Sequence, residues 1–97
     1  MQFMALTRRK IEKFSDDQFA PIIGPEGEHA RELYADGFIR QIWARGDVPG
    51  AFMMIEATDE KEARGQLQTL PLYVAGMLEI VALVPLKPYR AFLPKKP

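Results

Sequence analysis

The sequence predicts an α+β fold in which a four-stranded antiparallel sheet carries two helices on one face, and three observations support it. Residues 38–56 read as two apolar strands around a loop. Further strand-like runs stand on either side of them, at 1–7 and 77–84, and a helical pattern separates each outer run from the central pair. The order strand, helix, strand, strand, helix, strand, with a short hairpin in the middle and two crossovers of helix length, is a split βαβ arrangement.

The hairpin organises the chain. Its two runs are rich in aromatic and β-branched residues and hold the only tryptophan, Trp43, while Gly46, Asp47, Pro49 and Gly50 supply a loop of moderate length. Residues 1–7 are apolar on both faces, as a central strand would be. A helix is expected to start at Asp16, because Ser15 with Gln18 fits a capping box and Phe14 with Phe19 fits a hydrophobic staple. Pro21 and Gly24-Pro25 are expected to interrupt it, since an interior proline loses a backbone donor and clashes with the turn before it. What remains is a short first turn or a kinked helix, then a main helix over 25–35. In that part Ala30, Leu33, Tyr34 and Gly37 keep a helical spacing toward the core, with Glu28, Arg31, Glu32 and Asp36 outward. A second helix is expected over 60–69, with Asp59 as cap and Ala63, Leu67 and Leu70 on one face. Pro71 ends it, and Gly76 precedes the last strand. Residues 1–86 thus form one ferredoxin-like βαββαβ domain, and 87–97 an irregular, aromatic-bearing tail.

Composition narrows the function. Ninety-seven residues make a single domain, which buries only roughly 60–70% of the surface of its unfolded chain. Thirteen basic residues balance thirteen acidic ones, which removes the whole-molecule electrostatic argument for nucleic acid or an anionic membrane. The basic clusters Arg8, Arg9, Lys10, Lys13 and Lys87, Arg90, Lys95, Lys96 read as solvated ends, because neither is interleaved with stacking aromatics. There is no cysteine, so disulfides, thiolate metal sites and a cysteine nucleophile are excluded, and a reducing cytoplasm is the expected home. The apolar start, residues 1–6, is too short for a signal peptide and is followed rather than preceded by positive charge. The run 77–86 contains Glu79 and Pro85 and falls far short of the roughly 20 residues of a membrane span.

Two helices cover one face of the sheet, so something must cover the other. With Ala44 opposite Ala51, Gln41, Trp43 and Arg45 share a face with Phe52, Met54 and Glu56, while Ile42 and Ala44 share the opposite face with Met53 and Ile55; a slip of one residue exchanges the partners. On the last strand Glu79 points away from the helices. The uncovered face presents large apolar groups in either register, and a partner subunit is expected to pack there. Two sheets face to face make a dimeric α+β barrel, which the tail of a neighbouring subunit could brace.

From Leu33 through Gly37, Arg40 and Trp43 to Leu67, Leu70-Pro71-Leu72 and Glu79, the chain resembles the muconolactone isomerase family, small oligomeric ferredoxin-like enzymes that shift a proton in a lactone without a cofactor. The resemblance covers about half the chain; its best parts are the Gly-x-x-Arg-x-x-Trp pattern entering the hairpin and the Leu-Pro-Leu bend. Where those isomerases carry a histidine and a lysine in the first strand and a histidine between the arginine and the tryptophan, this chain has Met4, Leu6 and Gln41. The resemblance implies a homo-oligomer without cofactor or metal, and a small acidic or lactone metabolite as ligand.

Each candidate residue has a chemical and a packing role open to it. Glu79, in an otherwise apolar strand, could be a general base desolvated in a barrel interior or half of a salt bridge across an interface. Glu56 could share the proton transfer, or be solvated at its strand end. Arg40 could hold a substrate carboxylate as a fork or lie over the edge strand. Trp43, Gln41 and Met54 would line the same space, and Met53 and Met54 suit an adaptable apolar lining as well as a core. His29 has no second ligand-type residue at metal spacing and reads as surface; Asp16-Asp17 complements a helix dipole; the glycines match no phosphate loop. Two classes of function follow: a cofactor-free isomerase or related lyase with Glu79 or Glu56 moving the proton and Arg40 holding the anion, or a non-catalytic ligand-binding or structural oligomer. A hollow cavity with an inward carboxylate and arginine separates the first from the second.

Overall fold

The computed structural model describes residues 1–94, and within them the expected architecture is present. The elements are β1 (Gln2–Arg9), α1 (Asp16–Ala35), β2 (Ile39–Ala44), β3 (Ala51–Glu56), α2 (Glu60–Leu67), a one-turn α3 (Pro71–Val74) and β4 (Leu78–Pro85), followed by a short 3-10 turn at Arg90–Phe92. The sheet runs β2-β3-β1-β4, antiparallel throughout, so β1 is central. Residues 95–97 of the expected tail lie outside the described part.

The start of α1 follows the local signal. Gln18 N–H donates to Ser15 Oγ while the Gln18 side chain accepts from Ser15 N–H, and the Phe14 and Phe19 rings meet edge to face at 6.0 Å. The expected interruption does not occur: α1 is one helix of 20 residues through both prolines. Pro21 and Pro25 lie four residues apart and are exposed, so the carbonyls they leave unpaired face water, while buried Phe19 and Leu33 hold both halves to the sheet. Tyr34, expected toward the core, is 60% exposed; Leu33 and Ala30 occupy the contact stripe and Tyr34 falls beside it. The second helix stops at Leu67, two residues early, and the Leu-Pro-Leu bend becomes a helical turn with Pro71 in its first position.

The register has Ala44 opposite Ala51, Trp43 opposite Phe52 and Ile42 opposite Met53, the first of the two registers that the hairpin pattern leaves open. Phe3, Ala5, Thr7, Met53, Ile55, Ile39 and Leu78 therefore point to the helices and join Leu67, Leu70 and Leu72 in the buried core. Met4, Leu6, Phe52, Met54, Trp43 and Val84 point to the other face, half-buried or exposed. Two bulges break the ladders, one beside Leu6 and Thr7 against β4 and one at Arg40 in β2. Among the described residues no helix is long and apolar enough to cross a membrane.

Candidate functional site

The most site-like feature is a partly open cavity of about 350 Å³ between the helices and one end of the sheet. Residues Ile23, Glu26, Gly27 and Ala30 of α1 form one wall at helical spacing; Thr7 and Arg9 of β1, Ile42 of β2, Met53 of β3 and Leu78 of β4 form the floor; Leu70 and Leu72 close a side.

The hairpin loop shapes the cavity end because it is tied to β1 by four hydrogen bonds. Arg9 N–H donates to Pro49 O at 2.9 Å and Arg45 Nη1 to Thr7 O at 3.1 Å, while the Thr7 hydroxyl accepts from Ala51 N–H at 3.1 Å and donates to Ala51 O at 3.4 Å. Asp47 holds the Arg45 fork with two short bonds, 2.9 and 2.7 Å, and the fork in turn holds the Asp47 carboxyl well below the usual carboxylate range. Gly50 permits the approach, since a Cβ there would lie 2.1 Å from Thr7 O.

Glu26 is the chemically loaded member of the lining. Its Oε1 accepts Leu72 N–H at 2.9 Å, and its second oxygen makes no hydrogen bond among the described residues. Burial pushes its pKa up, against the opposing pull of the Leu72 N–H and of the nearby Arg9 and His29 charges. Arg9 forms no ion pair among the described residues, so the cavity pairs a partly desolvated carboxylate with an uncommitted guanidinium. Neither stands out as a site residue in the sequence. Arg9 was absorbed into a basic cluster; Glu26 had a usable signal, an acid three residues after Ile23 and four before Ala30 on the apolar stripe of α1.

Of the residues singled out from sequence for a ligand site, Trp43, on the edge strand, and Met53 border this cavity, and Glu79, Glu56, Arg40, Gln41 and Met54 do not. Glu79 lies on the uncovered face, where Oε2 accepts from Arg8 Nε at 3.2 Å; the same arginine forks onto Glu12 at 2.7 and 3.1 Å and lowers its pKa to about 2. Glu56 accepts the Met1 ammonium at 2.7 Å, which lowers its pKa. Arg40 is exposed at its bulge and donates Nε–H to Gly37 O at 2.9 Å. Gln41 and Met54 face each other across β2 and β3. The pairings put Glu79 level with Arg8 at one end of β1 and Arg40 near the other end, three strands away, a separation of roughly 20 Å within one chain. His29 is half-buried rather than on the surface: because Thr69 gives its proton to Gln66 O, His29 Nε2 is the donor to Thr69 Oγ1, at 2.7 Å. Among the described residues no group of three or more acidic or imidazole side chains is placed to hold a metal.

No protein family matches the chain by sequence, and no curated protein does. Among solved structures it is similar to 5-chloro-2-hydroxyhydroquinone dehydrochlorinase from Burkholderia phenoliruptrix AC1100 in complex with 2,5-dihydroxybenzoquinone, with a TM-score of 0.59 and 17% identity over 87% of this chain and 89% of that one. At that identity the likeness is one of fold, and it agrees with the ferredoxin-like topology.

Proposed function

We propose that the chain is a cofactor-free enzyme, similar to the muconolactone isomerases, that moves a proton on a small lactone or other acidic metabolite held in the cavity beside Glu26. The observation that carries the reading is Glu26 itself, a carboxylate on an apolar cavity wall with one oxygen fixed by Leu72 and a pKa raised by desolvation. A base shifted toward neutral pH is what abstraction of a proton next to a carbonyl requires. The C–H proton passes to the free Glu26 oxygen, the Arg9 charge stabilises the enolate that forms, and the same proton returns at a second carbon. Bonds broken and formed balance without a redox partner. The solved protein of like fold is named for a reaction on a hydroxylated ring, a ligand of the size range of this cavity, and this supports a small-molecule role.

A second, non-catalytic reading is favoured by the Leu72 bond, since a carboxylate that caps a turn has a structural reason to be there. Hydrogen–deuterium exchange at the acidic carbon of a panel of lactones and small dicarboxylates, followed by NMR, decides between the two. Exchange or isomerisation with the wild type that is lost in Glu26→Gln supports the enzyme; binding without exchange supports the alternative.

The proposal includes a homo-oligomer. The uncovered sheet face, with Met4, Leu6, Phe52, Met54 and Trp43, suits a second copy packed sheet to sheet. In such a barrel Glu79, Glu56, Arg40 and Gln41 would line the space between the sheets, a second location for a ligand.

A further inference from the structure

We infer that the cavity selects ring compounds bearing one negative charge and one hydroxyl donor, of the hydroxybenzoate type, over neutral phenols and over dianions. The inference takes the cavity as the ligand site, as proposed above, but requires no turnover.

Few of the charges near the cavity are free. Arg45, in the loop beside the cavity end, is spent on a bidentate fork with Asp47, and Arg8, on the opposite face of β1, on Glu12 and Glu79. Arg9 lines the cavity and has no ion pair among the described residues. A ligand anion therefore has one cation to meet, against apolar walls that include Ile23, Ala30, Ile42, Met53 and Leu72.

The other polar lining groups fix the rest of the pattern. Thr7 is 2% exposed and its hydroxyl is committed to Ala51 in both directions, so it offers a ligand little. Glu26 keeps one oxygen without a partner among the described residues, and an ionised carboxylate only accepts hydrogen bonds. A hydroxyl placed there donates to it, whereas a second carboxylate placed there meets like charge in partly desolvated surroundings. The volume, about 350 Å³, is at the small end for ligand pockets and suits one substituted ring.

Titration calorimetry on the full chain at pH 7.5 tests this with benzoate, 3- and 4-hydroxybenzoate, phenol and terephthalate. The better hydroxybenzoate binds about tenfold or more tightly than benzoate, because a site built to receive a hydroxyl discriminates against the ring without it, and phenol and terephthalate bind more weakly than either. Glu26→Gln retains an oxygen for Leu72 N–H, removes the like charge, and raises terephthalate affinity relative to benzoate about tenfold. Arg9→Met abolishes the preference for hydroxybenzoate over phenol. Failure of both hydroxybenzoates to bind the wild type, a flat wild-type ranking, or a ranking unchanged in both variants overturns the inference. The expected ranking without proton exchange on any compound leaves the inference standing and removes the enzyme reading; proton exchange with a flat ranking does the reverse.

Discussion

Glu26 Oε1 accepts the Leu72 backbone N–H at 2.9 Å, so a side chain from the middle of α1 caps the turn that follows α2, 46 residues away in sequence. Pro71 opens that turn and has no N–H of its own, which leaves the Leu72 amide as an unpaired donor at a helix start. The carboxylate satisfies it and is held in one orientation on the cavity wall as a result. The contact anchors the carboxylate, while burial raises its pKa against the pull of the same N–H.

If Glu26 is the base, Glu26→Gln lowers kcat on the order of 100- to 10,000-fold while KM for the same substrate changes far less. The amide keeps an acceptor for Leu72, so the circular dichroism spectrum and a cooperative melt are retained. A variant with full activity removes Glu26 from the mechanism.

The raised pKa of Glu26 also makes a signed prediction about stability. Desolvation raises the folded-state value above the ordinary 4.5, so the native state binds the proton more tightly than the unfolded chain. Stability contributed by this group is complete below the ordinary value and falls as pH rises through the folded one. Glu12 and Glu56, lowered chiefly by Arg8 and by the Met1 ammonium, act in the opposite sense and lose their contribution as pH falls below 4.5. Glu26→Gln deletes only the first effect. The melting temperature of the variant minus that of the wild type should therefore increase between pH 4 and pH 7.5; a constant or shrinking difference would contradict the desolvated environment.

Most of the fold was legible because its signals are local. The Ser15–Gln18 box, the alternation along 39–44 and 51–56, and the stripe Ala63, Leu67, Leu70 each declare an element within a few residues. The continuity of α1 was not legible, since whether Pro21 and Pro25 break a helix depends on where their freed carbonyls point, which only the packed structure decides. The cavity was hidden for a related reason. Arg9 and Glu26 are 17 positions apart and become neighbours only when α1 lies across the end of β1. The sequence instead directed attention to Glu79, whose apolar neighbours Leu78 and Ile80 turn to the opposite face of the strand.

Gly50 should be intolerant of a side chain. A Cβ would stand 2.1 Å from Thr7 O and 3.1 Å from the Arg45 Cδ, in the place where the loop is tied to β1. Backbone would have to move, and the Arg45–Thr7 and Thr7–Ala51 bonds would move with it. Gly50→Ala is expected to cost about 3 kcal/mol in urea unfolding, against less than about 1 kcal/mol for Gly46→Ala, whose Cβ meets nothing within 4 Å. Equal losses would show that the loop is not pinned there.

Assembly can be tested on the uncovered face. Light scattering after size exclusion at micromolar concentration should give at least twice the chain mass of 11.0 kDa. Phe52→Asp or Met54→Asp should reduce that to the mass of one chain, because a charge on a packed apolar face is either desolvated unpaired or keeps the copies apart. A wild-type monomer would remove the barrel, and with it any ligand space between sheets.

The two possible ligand locations make different demands on Glu79 and Arg40, and this supplies the sharpest test of the site. If the ligand lies between helices and sheet, both residues face away from it: Glu79 is engaged by Arg8 and Arg40 by the Gly37 carbonyl. Glu79→Gln and Arg40→Ala should then leave kcat and KM within about twofold of the wild type, while Glu79→Gln costs the fold no more than about 1 kcal/mol, as for an exposed ion pair. If the ligand lies between two sheets, the roughly 20 Å between these residues in one chain forces Glu79 of one copy to work with Arg40 of the other. Mixing inactive Glu79→Gln with inactive Arg40→Ala would then restore a fraction of the activity in mixed dimers, a result that the cavity beside Glu26 cannot produce. Loss of activity in Glu26→Gln, full activity in the other two variants and no complementation together assign the chemistry to the cavity.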